Sequence, residues 1–427
     1  MNQGEAKVGI VGLGYVGLPL ALRSLEKGFE TIGFDLDKDK IKKIQQGESP
    51  FLEEFIEERK SLLKKLSVST DPKILKDVDI VIVCVPTPID KSHYPDLSPL
   101  KGAVELIIQN LGKDQLIIIE STINPGVCEE VIEPIFSESN LTEGSDYFLA
   151  HCPERIDPGN KKWNVANIPR VVGSMSKEGL KRAKDFYESI IDGEIRPMKT
   201  IRSAEAVKVV ENSFRDVNIA FVNELAQSFD RMGIDVKDVI DGAATKPFAF
   251  MAHYPSRGVG GHCIPVDPYY LIEEAKRKGF DHQFLSTARK INNYMPIYTV
   301  KILQDALNEI EMPLKGTSVG VLGLSYKANI DDLRESPAFK IIDELKAKGA
   351  SVKTFDPYIP EKSDTKSLEE VLEKSEALIL VTNHKDFSDK EDLFKKFNIK
   401  AVVDGANSLD AKKIKKLGIK YHGIGRK

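Results

Sequence analysis

Cysteine is scarce in this chain. Cys84, Cys128, Cys152 and Cys263 are spread over 427 positions with no CxxC pair, which argues against a disulfide framework and for a reducing, cytoplasmic setting. Long apolar runs are missing too. The stretch VGIVGLGYVGLPLAL near the N-terminus has regular glycines and a weakly charged approach, unlike a secretory leader, and no segment reaches the ~20 residues of a membrane helix. Neither sign of charge dominates. Lys+Arg number 61 and Asp+Glu 65, a net charge of −4, and no basic run reads as a nucleic-acid or membrane patch. A small anionic ligand must therefore be met by individually placed cations. With 41% hydrophobic and 30% charged residues, the chain reads as globular and long enough for about two or three domains.

The first third carries the clearest pattern. KVGIVGLGYVGLPLALRSLEKGFETIGFD predicts a β-branched strand, a turn at Gly12-Leu13-Gly14, a helix to about Gly28 and a second strand ending on Asp35. Gly12, Gly14 and Gly17 form a G-x-G-x-x-G in the strand, turn and helix context that such a motif needs. Gly12 permits the turn, Gly14 lets a pyrophosphate approach the backbone, and Gly17 lets helix and strand pack closely. Asp35 is placed to accept hydrogen bonds from a ribose and to repel a 2′-phosphate, which points to NAD rather than NADP. DVDIVIVCVPTPID and DQLIIIESTINPG read as further strands buried on two faces of a parallel sheet. Their ends bring Pro86, Thr87 and Thr122 near the cofactor, with plain turn chemistry as the other reading.

AEAVKVVENSFRDVNIAFVNELAQSFDRMG reads as one long helix. At helical spacing Ala206, Val209, Val210, Val217, Ala220 and Phe221 share an apolar face, and Glu205, Lys208, Glu211, Asn212 and Arg215 a polar one. Lys208 and Asn212 could address one substrate oxygen. The pattern by itself favours a solvated face laced by Glu205–Lys208 and Glu211–Arg215 pairs. The last third repeats the first: SVGVLGLSYKAN puts Gly320 and Gly323 where Gly9 and Gly12 stand, and a second strand ends on Asp356. Ser325 and Ala328 replace the other two glycines, so a dinucleotide is not expected there. Lys327 and Arg334 instead offer cations to a nucleotide phosphate.

Between these lobes lies GVGGHCIPVDPYYL, residues 258–271. A thiol in a glycine-bearing loop can be approached closely and is a strong nucleophile as the thiolate. Beside an NAD site it could hold an aldehyde as a thiohemiacetal, so that a second oxidation gives a thioester and then an acid. His151-Cys152 and His262-Cys263 raise zinc as a competitor, but neither pair has a partner at metal-like spacing. A small buried hydrophobe is the remaining reading of Cys263.

GLGYVGLPLA, CVPTPID, ESTINPG, PERIDPGN, AEAVKVVENSFRDVNIAFVNE, GVGGHCIPVDPYYL and GLSYKANIDDLRESP, in this order, resemble the UDP-glucose/GDP-mannose dehydrogenase family across essentially the whole chain. The stretch TKPFAFMAHYPSRGVGGHCIPVDP is most similar to its members acting on UDP-N-acetylglucosamine and UDP-N-acetylmannosamine. The resemblance implies an α/β chain of two Rossmann-like doubly wound domains joined by a central helical dimerisation domain. The expected spans are an NAD domain at 1–200, a central domain at 201–305 and a UDP-sugar domain at 306–427. It implies four-electron oxidation of the sugar C6 alcohol to a uronate, with Cys263 as nucleophile and Lys208 and Asn212 polarising the C6 oxygen. Asp267 would order water or tune Lys208, Glu154 would be the base for thioester hydrolysis, and Thr122 would orient water or substrate.

Cofactor contacts carry over to Gly12, Gly14, Tyr15, Val16, Gly17, Asp35, Pro86, Thr87 and Thr122, with Arg334 reaching towards NAD. Substrate contacts fall on Glu154, Arg155, Ile156, Lys208, Asn212, Arg215, Tyr254, Gly260 and Lys327. The resemblance also implies a homodimer through the central helix and no nucleic-acid or membrane partner. Two positions depart from the family pattern. Lys246 is the nearest cation where an arginine reaching the neighbouring subunit's substrate is common, and so is the substrate contact expected there; Ser256-Arg257 stands where Gly-Pro is common, leaving Arg257 as an extra substrate contact or a surface residue. UDP-glucose or UDP-GalNAc as substrate, a two-electron β-hydroxyacid dehydrogenase, and a catalytically idle NAD-binding scaffold are the alternatives.

Overall fold

The computed structural model describes residues 6–51, 53–90, 94–156, 160, 162–261 and 263–426. Two compact units emerge, Met1–Glu211 with Tyr269–Phe280, and Asn212–Pro268 with Asp281–Lys427. Among the described residues, no helix is long and apolar enough to cross a membrane.

The first unit is built on eight strands: β1 (Lys7–Val11), β2 (Glu30–Phe34), β3 (Ser67–Ser69), β4 (Ile80–Val83), β5 (Gln115–Ile119), β6 (Tyr147–His151), β7 (Arg170–Ser174) and β8 (Ile195–Pro197). Their order is β3-β2-β1-β4-β5-β6-β7-β8, parallel except where β6 meets β7. The sequences IVIV of β4 and QLIII of β5 are buried at every residue, as strands covered on both faces must be. One core lies on each face, the first around Ile10, Ile80, Leu116 and Phe186, the second around Val11, Val81, Ile117 and Phe136. Strand order reverses between β1 and β4, so ligands are expected beyond the carboxyl ends of that pair.

The second unit carries a five-stranded parallel sheet of β9 (Ser318–Leu322), β10 (Ser351–Phe355), β11 (Ala377–Leu380), β12 (Ala401–Asp404) and β13 (Lys420–Gly423), ordered β10-β9-β11-β12-β13. The repeat read from the sequence holds in its hydrogen bonds. Gly12 N–H donates to the Phe34 carbonyl at 2.8 Å and Gly323 N–H to the Phe355 carbonyl at 2.9 Å. Leu13 N–H donates to Asp35 Oδ2 at 2.8 Å and Leu324 N–H to Asp356 Oδ2 at 2.6 Å. In the second copy Ser325 N–H and His384 Nε2 also meet Asp356 Oδ2, at 3.0 and 3.1 Å.

The long helix spans Ile201–Met232, but its burial follows neither face the pattern suggests: Val209 and Ala220 of the apolar set are buried and Arg215 of the polar set is exposed as expected, whereas others are not. Glu205, Lys208 and Asn212 are buried, while Val210, Phe214 and Phe221 are 54, 49 and 54% exposed. Neither solvated pair forms: Glu205 accepts the N–H groups of Gly126 and Cys128 at 2.5 and 2.8 Å, and Glu211 pairs with Arg155. A polar stripe can be interior when backbone donors and opposite charges arrive from elsewhere in the chain. Further along, Asp216 accepts from Arg289 at 2.5 Å and Asn292 at 2.7 Å, which pins the long helix to the helix Gln283–Asn308.

The clustered donors on Asp356 yield a stability prediction. Burial works against its charge, but His384 and the N–H groups of Ser325 and Leu324 outweigh it and hold its pKa at about 2, below the ordinary 3.8. The ionised carboxylate therefore stabilises the fold above pH 3.8, and that contribution is lost as pH falls towards about 2. Asp356→Asn is expected to destabilise the protein by about 1–3 kcal/mol at neutral pH and to flatten this acid limb, measured by urea unfolding across pH.

Candidate active site

The turn after β1 fits a dinucleotide. A Cβ on Gly17 would lie 1.9 Å from the Gly12 carbonyl oxygen, and Gly12 itself has φ +93°, so the tight turn and close helix packing both require glycine. At Gly14, its chain neighbours aside, no atom of the described residues lies within 4 Å of where a Cβ would be, which leaves backbone open to a pyrophosphate. The helix Gly17–Glu26 has no side-chain cap and no acidic residue in its first turn, so its N-terminal N–H groups suit an anion. Asp35 already accepts from Leu13 N–H, from Asp37 N–H at 2.9 Å and from the Lys40 ammonium at 2.6 Å. With about four acceptor positions per carboxylate, one remains for a ribose hydroxyl. Tyr15 packs its ring 4.1 Å from that of Phe51, and Val16 stands at the helix N-cap.

Beyond β4 and β5 the turns interlock. Thr87 donates its hydroxyl to the Thr122 carbonyl at 2.6 Å, and the Thr87 carbonyl accepts the Tyr270 hydroxyl. Thr87 is thus buried as a tie between loops, and Pro86 beside it is exposed. Thr122 is partly buried.

After β6, Glu154 lies 3.7 Å from Lys208, and both are almost fully enclosed. Burial pushes the Glu154 carboxyl up, with Lys208 and Arg170 pulling against it. Its Oε1 is enclosed and has no hydrogen-bond partner among the described residues. Arg155 bonds Glu211 and the Pro169 carbonyl, the latter at 2.8 Å. Ile156 packs against the first core.

A pair that pattern reading misses sits behind Glu154. Arg170 donates to Glu120 at 3.0 Å with both side chains fully buried, and the Tyr187 hydroxyl donates to the same oxygen at 2.5 Å. The signal was present in an acidic residue closing the apolar run IIIE and an arginine opening RVVGS. Only the strand order shows that they meet.

In the second unit Asn212 donates its amide to Asp267 at 2.5 Å, with both residues buried. The Cys263 carbonyl accepts the N–H groups of Val266 and Asp267 at 3.1 and 2.8 Å, forming a turn that leads into the helix Asp267–Arg277. A Cβ on Gly260 would come within 2.7 Å of Tyr326, and Gly261 has φ +92° against the same ring. The glycines before the thiol therefore answer to close packing. His262 lies outside the described residues.

Burial tells against the other three thiols as nucleophiles. Cys84 and Cys128 are pushed well up, and Cys152 is pushed up to about 12, burial being the largest cause in each case. A thiolate is disfavoured at all three.

The remaining expected contacts are more open. Arg215 is exposed, Lys246 is exposed over the Phe248 ring, and Tyr254 is exposed and donates to Asp241 at 2.7 Å. Lys327 is partly buried, and Arg334 pairs with Asp332 at 2.6 Å. Arg257 is no surface residue: it is partly buried with its guanidinium on the Tyr326 carbonyl at 2.9 Å.

Three models of one family cover this chain. The UDP-glucose/GDP-mannose dehydrogenase NAD binding domain matches residues 6–191, the central domain 202–294 and the UDP binding domain 320–411. A UDP-N-acetyl-D-mannosamine dehydrogenase of Pyrococcus horikoshii is 36% identical over 98% of this chain and 99% of its own. A UDP-N-acetyl-D-glucosamine 6-dehydrogenase of Pseudomonas aeruginosa is 39% identical over 83% of both chains. The solved structure of a UDP-D-ManNAc dehydrogenase from Pyrococcus horikoshii superposes with a TM-score of 0.92, at 35% identity, over 98% of this chain and 99% of that one.

Proposed function

Since the chain belongs to the UDP-glucose/GDP-mannose dehydrogenase family and is an NAD-dependent nucleotide-sugar dehydrogenase, we propose that it oxidises C6 of a UDP-N-acetylhexosamine to the carboxylate. UDP-ManNAc and UDP-GlcNAc are the candidate substrates, from the relatives named above. The observation that carries the chemistry is the setting of Cys263: it stands in a glycine-lined turn, while burial works against the thiolate at the other three cysteines. In this reading residues 1–200 hold NAD, 201–305 carry the nucleophile and 306–427 hold the nucleotide.

Bound NAD supplies the hydride acceptor for each oxidation. Cys263 Sγ bonds to C6 at the aldehyde level, and the next oxidation leaves a thioester. Lys208 and Asn212 stand one helical turn apart and donate to the oxygen on which negative charge builds. Asp267 takes one N–H of the Asn212 amide and so fixes its plane, leaving the second N–H for that oxygen. Glu154, whose Oε1 makes no hydrogen bond among the described residues, removes a proton from the water that cleaves the thioester.

We also propose a homodimer through the long helix. Val210, Phe214 and Phe221 recur on one face and stay about half exposed, a larger apolar display than a lone surface helix normally keeps.

The first test is stoichiometry. With UDP-ManNAc or UDP-GlcNAc, about two NADH per sugar are expected, and Cys263→Ala should abolish uronate formation; one NADH with a ketone or aldehyde product would reject the reading. Glu154→Gln should slow hydrolysis by roughly 10²–10⁴-fold and leave a stalled burst of NADH in rapid mixing. Because the Glu154 carboxyl is raised by burial and must be ionised to act, the wild-type rate should rise with pH through a pKa above the ordinary 4.5, and the glutamine variant should lose that limb. Phe214→Asp combined with Phe221→Asp should halve the mass seen by light scattering; an unchanged mass would remove the helix from the interface.

A further inference from the structure

Arg257 occupies a place with no part in the chemistry above. Its backbone N–H donates to the Gly405 carbonyl at 3.0 Å, and its guanidinium meets the Tyr326 carbonyl at 2.9 Å and the Thr382 hydroxyl at 3.5 Å. These acceptors follow β12, β9 and β11 in turn. The sheet order β10-β9-β11-β12-β13 reverses direction between β9 and β11, so the guanidinium bridges the two turns that frame the ligand crevice of such a sheet. All three acceptors fall within the UDP binding domain at 320–411, whereas Arg257 comes from the central domain at 202–294.

The electrostatics are unusual for a staple. Every partner of the guanidinium is neutral, and it forms no ion pair among the described residues. Asp404 is the carboxylate whose field reaches it, but the Asp404 oxygens are taken by Ala406 N–H, Leu409 N–H and the Tyr421 hydroxyl. Arg257 Nε is buried with no partner among the described residues, and burial pushes the guanidinium down to about 10. A cation withdrawn from water without an anion is costly. The tie to Gly405 runs through the backbone and would survive with a neutral side chain, so the charge is not needed to anchor the loop. A guanidinium fork with a spare N–H suits a phosphate.

We propose that Arg257 is a direct contact of the substrate's diphosphate, reaching into the nucleotide crevice from the loop that bears the nucleophile six residues on. The assignment rests on the nucleotide-sugar reading and adds to it a residue where the family pattern has Gly-Pro. It makes phosphate binding and the setting of the cysteine loop a single event.

Calorimetric titration of the full-length enzyme with uridine, UMP and UDP tests this for the wild type, Arg257→Gln and Arg257→Lys. For Arg257→Gln, UDP affinity should fall roughly 10–100-fold with uridine affinity unchanged, and lysine should recover part of the loss. In turnover the KM for the nucleotide sugar should rise while the KM for NAD stays put. An equal loss for uridine and UDP would make Arg257 a structural staple, and UDP binding unchanged in Arg257→Gln would remove it from the site; either overturns the proposal while leaving the function intact. If the wild type binds none of the three, the nucleotide-sugar reading falls and this assignment falls with it.

Discussion

The hydrogen bond between Asn212 and Asp267 is the constraint on which the placement of Cys263 depends. The segment before Cys263 is rich in glycine, and glycine loses more conformational freedom on folding than any other residue. Left to itself such a loop would sample many positions. Asp267 is the point where it becomes helix, and its carboxylate is clamped to the long helix by an amide buried at the same depth. Because Cys263 accepts the N–H of Asp267, the clamp is one short turn from the thiol. Packing of Gly260 and Gly261 against Tyr326 restrains the other side of the turn.

Both sheets use the same device at the same place, an aspartate at the end of the second strand taking the N–H after the first-strand glycine. The next residues of the two turns diverge. In the first unit Gly14 leaves open space before the helix. In the second Ser325 occupies the matching position, bonds the Lys327 carbonyl at 3.0 Å and approaches His384 at 3.1 Å. A hydroxyl and an imidazole fill what a pyrophosphate would need. One architecture thus serves two ligands through changes in a few turn residues.

Charge is buried where chemistry is expected and seldom alone. Glu120 with Arg170, Glu154 with Lys208, and Asp216 with Arg289 are each paired and enclosed. Breaking such a pair on one side leaves an unpaired interior charge, which is expensive. The pairs therefore resist rearrangement and give the polar interior fixed geometry. Glu154 combines a charged neighbour with an enclosed oxygen that makes no hydrogen bond among the described residues.

The strands, the glycine turn, the terminal Asp35 and the distorted second copy were all determined by the sequence alone. Each rests on sterics or periodicity within a few residues: a Cβ at position 17 collides with the backbone five residues earlier whatever the remainder of the chain does. The helix Ile201–Met232 was legible as a helix for the same reason, but its buried face was not. Glu205 is interior because Gly126 and Cys128 bring it two N–H groups from a distant turn. Arg155 is committed to Glu211, and Arg257 is inserted beside Tyr326, for equally remote reasons. Burial and pairing depend on which far segment arrives opposite a side chain, and only the tertiary structure decides that.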